Sequence, residues 1–533
     1  MSVQDGGGLS LLDALREQLG CHSVKDGCSP QGQCGCCTVW VDGAARVSCV
    51  TAVRRAAGRS VTTVEGLEPA MQQRWTDAFV AAGASQCGFC TPGIVLRLAA
   101  LEQGGKALTR AAVESALLAH LCRCTGWQSI VDAGCVALGI EPGPTPTAAT
   151  DPLLAAWRAQ LEGPMFQSSG PDVVLGGGGF ADDTAPAGAL IQLGAQDKAP
   201  TANVAESRRD AGKVQGRNST VPLTHPVLVP DGDWDLILQT TWVEPAYVEP
   251  DASWCRPGEV PAPPLANGGA FGGKRRSPVP ARARALADEH GMAVRVLWSR
   301  EDVVRFGPKR PPLALGLRSD GSGVLRIGRT PGSADLTVLH ERVRAVAPDV
   351  TIEEVTIDGP PVGPDLRGAV WAEVLAALLA ARRGRTDGAD EPGPGRADVS
   401  LPAGGRATVD IGPTPDGTTA VTVEVWAGEV LDQVTLRSYV LGAVHQALGL
   451  VWSEGIAVDE GGAPLDLTIR SFGILAARDM PPVAVILHQE DRWPVNGSDA
   501  VFVATLAAAW MAEGRPPTWP TRRTGGRTPP PRA

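Results

Sequence analysis

The stretch KDGCSPQGQCGCC, residues 25–37, decides how the first part of the chain folds. It places Cys28, Cys34 and Cys37 in a glycine-rich loop, and Cys49 follows after eleven intervening residues. This order is a close variant of the plant-type arrangement C-x4-C-x2-C…C that holds a [2Fe–2S] cluster, although the first gap has one residue more. The sequence therefore predicts one [2Fe–2S] cluster on these four thiolates.

A second set of cysteines lies farther along the chain, in SQCGFCTPG (residues 85–93) and LCRCTG (residues 121–126). A C-x2-C pair and a C-x-C pair, each at the end of a predicted helix, bring four sulfurs to one end of a helical bundle. A four-cysteine zinc site is the weaker alternative for both sets, and zinc ribbons more often use C-x2-C twice. The predicted ligands of a second [2Fe–2S] cluster are Cys87, Cys90, Cys122 and Cys124.

Bulk composition limits the class of protein. The chain has 533 residues, a formal net charge of −10 and twelve cysteines, most of which precede residue 125. The acidic balance gives no general attraction to nucleic acid or to an anionic membrane, and no apolar run is long enough to span a bilayer. The N-terminus MSVQDGGGLSLLDALREQLG lacks a secretion signal, so we expect a cytoplasmic protein whose crowded cysteines hold metal rather than disulfides.

Hydrophobic periodicity and turn residues divide the chain into units of mixed helix and strand. Helices are predicted at 9–20, 71–83, 91–102, 109–121 and 126–138. Strands are predicted at 38–43 and 45–53, around the Asp42-Gly43 turn, and residues 236–248 are strand-like. The predicted order is an α+β [2Fe–2S] domain at 1–70, a helical [2Fe–2S] domain at 71–139, a linker at 140–152, an α+β region at 153–382, a second such region at 398–515 after a Pro- and Gly-rich break at 383–397, and a disordered tail at 516–533.

The blocks KDGC…QCGCCTVWVDG…SC and QCGFCTPG…LCRCTGW resemble the iron–sulfur domains of the xanthine oxidase and aldehyde oxidase family of molybdenum hydroxylases. The resemblance covers residues 9–140 and implies a β-grasp ferredoxin-like domain followed by a four-helix [2Fe–2S] domain. It also implies that the second cluster lies nearer a molybdenum cofactor and the first nearer an external acceptor. The family usually begins with a strand hairpin, whereas only MSVQDGGG precedes the first predicted helix here.

Weaker resemblances continue in the order of the family's molybdenum-binding subunit. VLGGGGFADDTAPAGAL (174–190) looks like the opening of a hammerhead-type domain, and ANGGAFGGKRR (266–276) looks like part of the cofactor-binding region. Together they imply a shortened α+β molybdopterin-binding-type region with no flavin domain before it. The glycines of the second block permit close approach of a bulky cofactor, although such a loop is often only a turn. The candidate cofactor-binding residues are Gly268, Gly269, Ala270, Phe271 and Gly272.

Acidic residues supply the catalytic candidate. In the family the active-site glutamate precedes a late helix, and the resemblance puts Asp499 of PVNGSDAVFVAT in that place. Asp499 is one methylene shorter than the glutamate, and we favour the alternative that it is the N-cap of the helix. Glu244 and Glu249 are expected to be solvated strand residues, and the GGGG at 176–179 has no expected nucleotide role.

The resemblance implies an oxidoreductase of the molybdenum hydroxylase type. Such an enzyme oxidises an aldehyde or N-heterocycle and passes electrons through two [2Fe–2S] clusters, and molybdopterin is the further cofactor it allows. The short C-terminal region, in which no Gln-Gly-rich pterin loop is found, supports an alternative: a non-catalytic iron–sulfur electron-transfer subunit without molybdenum. The expected partners are a small-molecule substrate and a separate flavoprotein or other electron acceptor, within a homo- or hetero-oligomer.

Overall fold

The computed structural model describes residues 3, 8–105, 107–142, 151–163, 165, 167–195, 198–211, 221–264, 268–383 and 395–523. Most of the predicted linker at 140–152 lies outside these ranges. Among the described residues, no helix has both the length and the apolar character needed to cross a membrane.

The first domain is a small antiparallel sheet that carries the first cysteine loop. Its elements are helix α1 (Leu11–Asp13), which continues as a π-helical turn (Ala14–Gln18), and strands β1 (Thr38–Val41), β2 (Ala44–Val47) and β3 (Val61–Thr62), in the order β2-β1-β3. Asp42 and Gly43 both have positive φ, which matches the twist of a two-residue hairpin. The second strand ends at Val47, earlier than the pattern suggested, because Ser48 turns back to donate to the Cys37 carbonyl.

The second domain contains the four predicted helices. They are α2 (Pro69–Ala81), α3 (Thr91–Ala99), α4 (Arg110–Ala116) and α5 (Gln128–Ala137). The Thr109 hydroxyl caps α4 by accepting from the amide of Ala112. This helix ends earlier than its predicted limit at residue 121, because a 3-10 turn (Leu117–Ala119) and an extended segment lead into the second cysteine pair.

The central region packs helices around two sheets. Its elements are α6 (Pro152–Glu162), α7 (Pro171–Val174), β4 (Leu190–Leu193), α8 (Val204–Ala211), β5 (Leu236–Gln239), β6 (Ala252–Cys255), α9 (Val279–His290), β7 (Val294–Leu297), α10 (Arg300–Phe306), β8 (Leu313–Leu317), β9 (Gly323–Arg329), α11 (Thr337–Val346), β10 (Val350–Thr356) and α12 (Trp371–Arg383). The strand orders are β4-β7-β6 and β10-β9-β8-β5. The strand-like stretch 236–248 forms a strand only at its start, and its remainder runs buried through the interior.

The last region is a four-stranded sheet covered by two long helices. Its elements are β11 (Arg396–Ser400), β12 (Arg406–Pro413), β13 (Thr419–Trp426), α13 (Gln433–Trp452), β14 (Val483–His488) and α14 (Ser498–Ala512), and the strand order is β11-β12-β13-β14. Buried and exposed side chains alternate along β12, as expected for a sheet with one wet face.

Ordered segments extend past two of the predicted boundaries in this region. The break at 383–397 ends earlier, because β11 already begins at Arg396 and pairs with β12. The tail at 516–533 is ordered in its first part: Thr518 bridges to Gln239, and the ring of Trp519 packs edge-on against Trp510 at 5.4 Å. The apolar ring of Trp519 gains more from burial than the chain loses in freedom. Residues 524–533 lie outside the described residues.

A single hydrophobic core joins the cysteine-rich domains to the C-terminal region. Buried Cys87 and Cys122 belong to the same cluster of side chains as Val423 of β13 and Leu506 of α14. The architecture is α+β, as predicted, and its core places the cysteines against the two long helices.

Candidate iron–sulfur centres

The first cysteine loop brings its four predicted ligands together. All four side chains are buried, with 6% or less of their surface exposed. The thiols of Cys34 and Cys49 donate hydrogen bonds to Cys28 and hold the pKa of Cys28 well below its usual range, while Cys37 contacts Cys49. The same hydrogen bonds to Cys28, together with burial, raise the pKa of Cys34 and Cys49, so within this set the negative charge is favoured on Cys28. The thiolate is the form of cysteine that binds metal.

Backbone amides point at the sulfur of this loop. The amides of Gln31 and Gln33 donate to Sγ of Cys28 at 3.2 and 3.4 Å. A Cβ at Gly27 would lie 3.0 Å from Sγ of Cys34, so the loop wraps close to the sulfurs. The extra residue between the first two cysteines is accommodated by a left-handed turn at Ser29, whose amide donates to Asp26 at 3.1 Å.

The second set of cysteines also converges on one point. Sγ of Cys124 lies 3.9 Å from Sγ of both Cys87 and Cys122. Hydrogen bonds from Cys124 and from Cys90, which lies at the N-terminus of α3, lower the pKa of Cys122 well below its usual range. The hydroxyl of Thr125 lies 3.1 Å from the same sulfur.

Both sets fit a [2Fe–2S] cluster. Each offers four buried sulfurs with hydrogen-bond donors around them, which is the donor set that such a cluster uses. All twelve cysteines are free thiols, so no disulfide competes for them. The sulfurs outside the two sets are Cys21, Cys36, Cys135 and Cys255, of which Cys36 is buried beside the carbonyl of Cys34 at 3.8 Å.

A hydrogen bond connects the two sites directly. The amide of Leu121 donates to the carbonyl of Cys34 at 3.0 Å, and Leu121 is followed at once by Cys122. The ring of His120 packs against Gly35, where a Cβ would lie only 2.4 Å from the imidazole. The two cysteine loops are therefore in contact.

Glycines let two other segments, α13 and the loop at 176–179, approach the second site. A Cβ at Gly442 of α13 would lie 2.0 Å from the carbonyl of Cys124, and a Cβ at Gly178 would lie 2.3 Å from the carbonyl of Cys87. In turn, a Cβ at Gly126 would lie 2.2 Å from the carbonyl of Leu441. The GGGG at 176–179 thus packs against the second site. A glycine in the middle of a long helix, as at position 442, was the one sequence signal of such a contact.

The glycine-rich loop at 268–272 packs against the chain itself. It begins with a 3-10 turn (Gly268–Ala270), and a Cβ at Gly272 would lie 1.8 Å from the carbonyl of Asp365. The amide of Arg367 donates to the carbonyl of Phe271 at 3.0 Å, and its guanidinium lies over the Phe271 ring. The close approach that the glycine at 272 permits is therefore made by residues 365–367.

The catalytic candidate Asp499 lies in the first turn of α14 rather than at its N-cap, so the favoured N-cap interpretation is wrong. Its amide donates to the Asn496 side chain, and the amides of Gly497 and Ser498 donate to Glu162. These acceptors already satisfy the start of the helix. The Asp499 carboxylate instead accepts from Nε of Arg367 at 2.8 Å, which brings it beside the glycine-rich loop.

Comparison with known proteins shows which family the chain belongs to. The family model described as the [2Fe–2S] binding domain matches residues 63–135. The small subunit of nicotine 6-hydroxylase from Paenarthrobacter nicotinovorans is 41% identical over 124 residues, which are 23% of this chain and 74% of that subunit. The chain belongs to the xanthine dehydrogenase and aldehyde oxidoreductase family.

The chain is also similar to other members of this family. The iron–sulfur-binding subunit of xanthine dehydrogenase from Escherichia coli O157:H7 is 42% identical over 24% of this chain and 79% of that subunit. The aldehyde oxidoreductase of Megalodesulfovibrio gigas is 40% identical over 140 residues, which span 26% of this chain but only 15% of that relative. The solved structure of aldehyde oxidoreductase from Desulfovibrio gigas matches with a TM-score of 0.66 and 14% identity, over 96% of each chain, which establishes a common fold.

A molybdenum cofactor, which members of this family carry, needs room beside the glycine-rich loop. The described residues leave a cavity of about 40 Å³ there, between Phe271, Arg367 and Phe502. Such a cavity holds little more than a water molecule. The arginines around it already have acidic partners, since Arg123 pairs with Glu454 and Arg310 with Glu373. This arrangement does not fit a pterin group.

A larger cavity lies beside the second site. It measures about 180 Å³, and Gln86, Gln167 and Tyr439 are among the residues that line it. The Gln86 amide nitrogen donates to the carbonyl of Cys124 at 2.8 Å and to Ser438 at 3.0 Å. The cavity therefore shares a wall with the second cysteine set.

Sequence patterns missed the buried ion pairs of the central region. Glu244 and Glu249 are not solvated strand residues, because both are buried, with Lys309 at 2.9 Å from Glu244 and Lys274 at 2.5 Å from Glu249. Burial raises the pKa of Glu249 and lowers that of Lys309. The lysine partners of Glu244 and Glu249 lie 65 and 25 residues away, respectively, so nothing local in the sequence pairs them.

Proposed function

We propose that this chain carries electrons through two [2Fe–2S] clusters in an oxidoreductase of its family. The observation that carries the proposal is the contact between two buried four-cysteine sites through the Leu121 amide and the Cys34 carbonyl. Backbone and thiol donors around both sites stabilise thiolates, which a cluster requires. The proposed ligands are Cys28, Cys34, Cys37 and Cys49 for the first cluster and Cys87, Cys90, Cys122 and Cys124 for the second.

The surroundings of the two sites support a direction of electron transfer. The second site lies under α13 within the shared core, whereas the loop at 30–33 over the first site is half-exposed. Electrons would enter at the second cluster and leave from the first. The proposed recipient is a separate flavoprotein or other acceptor, and several relatives are themselves named as subunits.

Metal analysis and electron paramagnetic resonance test this proposal. We expect about four Fe and four sulfide per chain and two distinct signals after reduction, because each cluster holds two irons. Cys124→Ser should remove one signal and about half the iron. The matched control Cys135→Ser changes a buried thiol outside both sets and should keep both signals. Zinc in place of iron would refute the proposal.

A second candidate function is oxidation of an aldehyde or N-heterocycle by a bound molybdenum cofactor. The specific support is the fold likeness to aldehyde oxidoreductase over 96% of each chain. The cavity of about 40 Å³ at the glycine-rich loop and the paired arginines around it speak against it. About one Mo per four Fe in purified protein, with dye-linked oxidation of a substrate, would establish this function; iron alone leaves electron transfer as the whole activity.

A further inference from the structure

The surface over the first cluster site contains an exposed apolar side chain. Val50 follows the ligand Cys49 directly, and 62% of its surface is exposed. Its side chain also lies over the cysteine loop, since a Cβ at Gly32 would be 3.0 Å from it. Val50 therefore lies over the half-exposed loop at 30–33 of the first site.

Arginines without an ion-pair partner among the described residues lie on both sides of Val50 in the sequence. Residues 43–64 contain four arginines and no acidic residue, in a chain whose net charge is −10. Arg46 at the edge strand β2, and Arg54 and Arg55 in the next 3-10 turn (Val53–Ala56), are exposed and form no ion pair within the part of the chain that the structure describes. Arg59 differs, because it pairs with Asp42 at 2.7 Å.

A fourth arginine reaches the same site from the C-terminal region. Arg470 is exposed, and its guanidinium donates to the carbonyls of Gln33 and Leu118, both at 2.9 Å. Arg470 therefore holds a cation against the half-exposed loop at 30–33, the loop over which Val50 lies.

We propose that Val50 and these four arginines, here called the arginine rim (Arg46, Arg54, Arg55 and Arg470), form the docking surface for an acidic electron-acceptor protein. The inference rests on the proposed function, because it concerns where electrons leave the first cluster. A rim of one charge around an apolar centre attracts a partner of opposite charge and raises the rate of encounter. None of the four arginines forms an ion pair within the described residues, so a partner can bind them without breaking one.

Stopped-flow mixing tests the surface on the full-length protein. The protein is reduced with dithionite, freed of excess dithionite, and mixed with an acidic flavodoxin or with basic cytochrome c. One electron leaves a reduced cluster, whose ferrous iron returns to ferric, and enters the flavin, which takes up one proton from water. We expect the flavodoxin rate constant to fall about 10-fold between 20 and 500 mM NaCl, because salt screens the rim.

Charge reversal provides the matched comparison. Arg54→Glu/Arg55→Glu should lower the flavodoxin rate constant about 10-fold at low salt, leave it nearly unchanged at high salt, and raise the rate constant with cytochrome c. Arg344→Glu/Arg382→Glu reverses two exposed charges on α11 and α12 and should leave both rate constants unchanged.

The outcomes separate the two proposals. Equal flavodoxin rate constants for wild type and the Arg54/Arg55 variant at low salt would overturn the docking surface while both iron signals are present. Loss of the iron signals in wild type would instead mean that the proposed function itself is wrong. Reduction of a small neutral dye at the same rate by all variants confirms that any difference arises from docking.

Discussion

One buried histidine shows what a single residue contributes. His445 of α13 is fully buried, and Nε2 lies 3.1 Å from the carbonyl of Leu475, to which it donates. Burial, together with the charge of Arg123, lowers the pKa of His445 to about 4. The ring is therefore neutral in the folded protein over the range in which an unfolded histidine becomes charged.

This shift predicts a loss of stability in mild acid. Since the folded pKa is lowered, the stabilisation is complete above the unfolded value near 6.5 and is lost as pH falls towards 4. From pH 8 to pH 5 the free energy of unfolding should fall by about 2 kcal/mol through this residue. His445→Gln, which keeps a donor for Leu475 but does not titrate, should remove that dependence in urea unfolding.

The control for this experiment is His290→Gln, at an exposed site in the last turn of α9. It should retain the wild-type dependence on pH. If His445→Gln and wild type lose the same free energy between pH 8 and pH 5, the assignment to His445 is wrong.

Helix α13 acts as the support of the second cluster site. Residues one turn apart on it face the cysteine loops: Ser438 accepts from Gln86, Gly442 lies against Cys124, and Gln446 donates to the carbonyl of Arg123. Positions i, i+4 and i+8 share one face of a helix. One face of α13 thus fixes both cysteine pairs of the second site.

Gly442→Ala tests this contact. In a free helix the change stabilises by up to about 1 kcal/mol, because alanine favours helix and glycine does not. Here the new Cβ would lie 2.0 Å from the carbonyl of Cys124, so we expect a lower free energy of unfolding and loss of the second iron signal. Gly104→Ala, where a Cβ would meet no atom within 4 Å, should leave both measurements unchanged.

Local patterns in the sequence predicted the elements around the cysteines well. Spacing of the cysteines and the periodicity of 71–138 gave four helices and both cysteine loops, because these features depend on neighbours in sequence. Contacts between distant segments were beyond such patterns. Asp499 was taken for a helix cap, whereas Arg367, 132 residues away, holds it beside the glycine-rich loop. The order of residues 516–523 likewise depends on Trp510 and Gln239.

At the scale of the whole molecule, the second cluster site and the C-terminal region share one core. The cysteines of the second site lie in the same buried cluster as α14, and Trp510 of that helix is itself fully buried. Because the core is closely packed, loss of structure in one part should destabilise the parts that pack against it. The chain should therefore respond to its clusters as a unit.

Removal of iron tests this unity. Stripping both clusters with a chelator under reducing conditions should lower the Tm of the main calorimetric transition by about 5 °C or more, because binding to the folded state alone stabilises it. Reconstitution with iron and sulfide should restore the Tm. A main transition that keeps its temperature without iron would show that the C-terminal region is stable independently of the clusters.

The close approach of glycines to the carbonyls of Cys87 and Cys124 has a consequence for electron kinetics. With backbone packed this closely and the amide of Gln86 fixed by two hydrogen bonds, little around the second cluster is free to move when its charge changes. A fixed polar environment keeps the reorganisation energy of a one-electron step small. We expect electron exchange there to be governed by distance and driving force. At the first cluster, which lies beneath the half-exposed loop at 30–33, water and the partner protein must also rearrange.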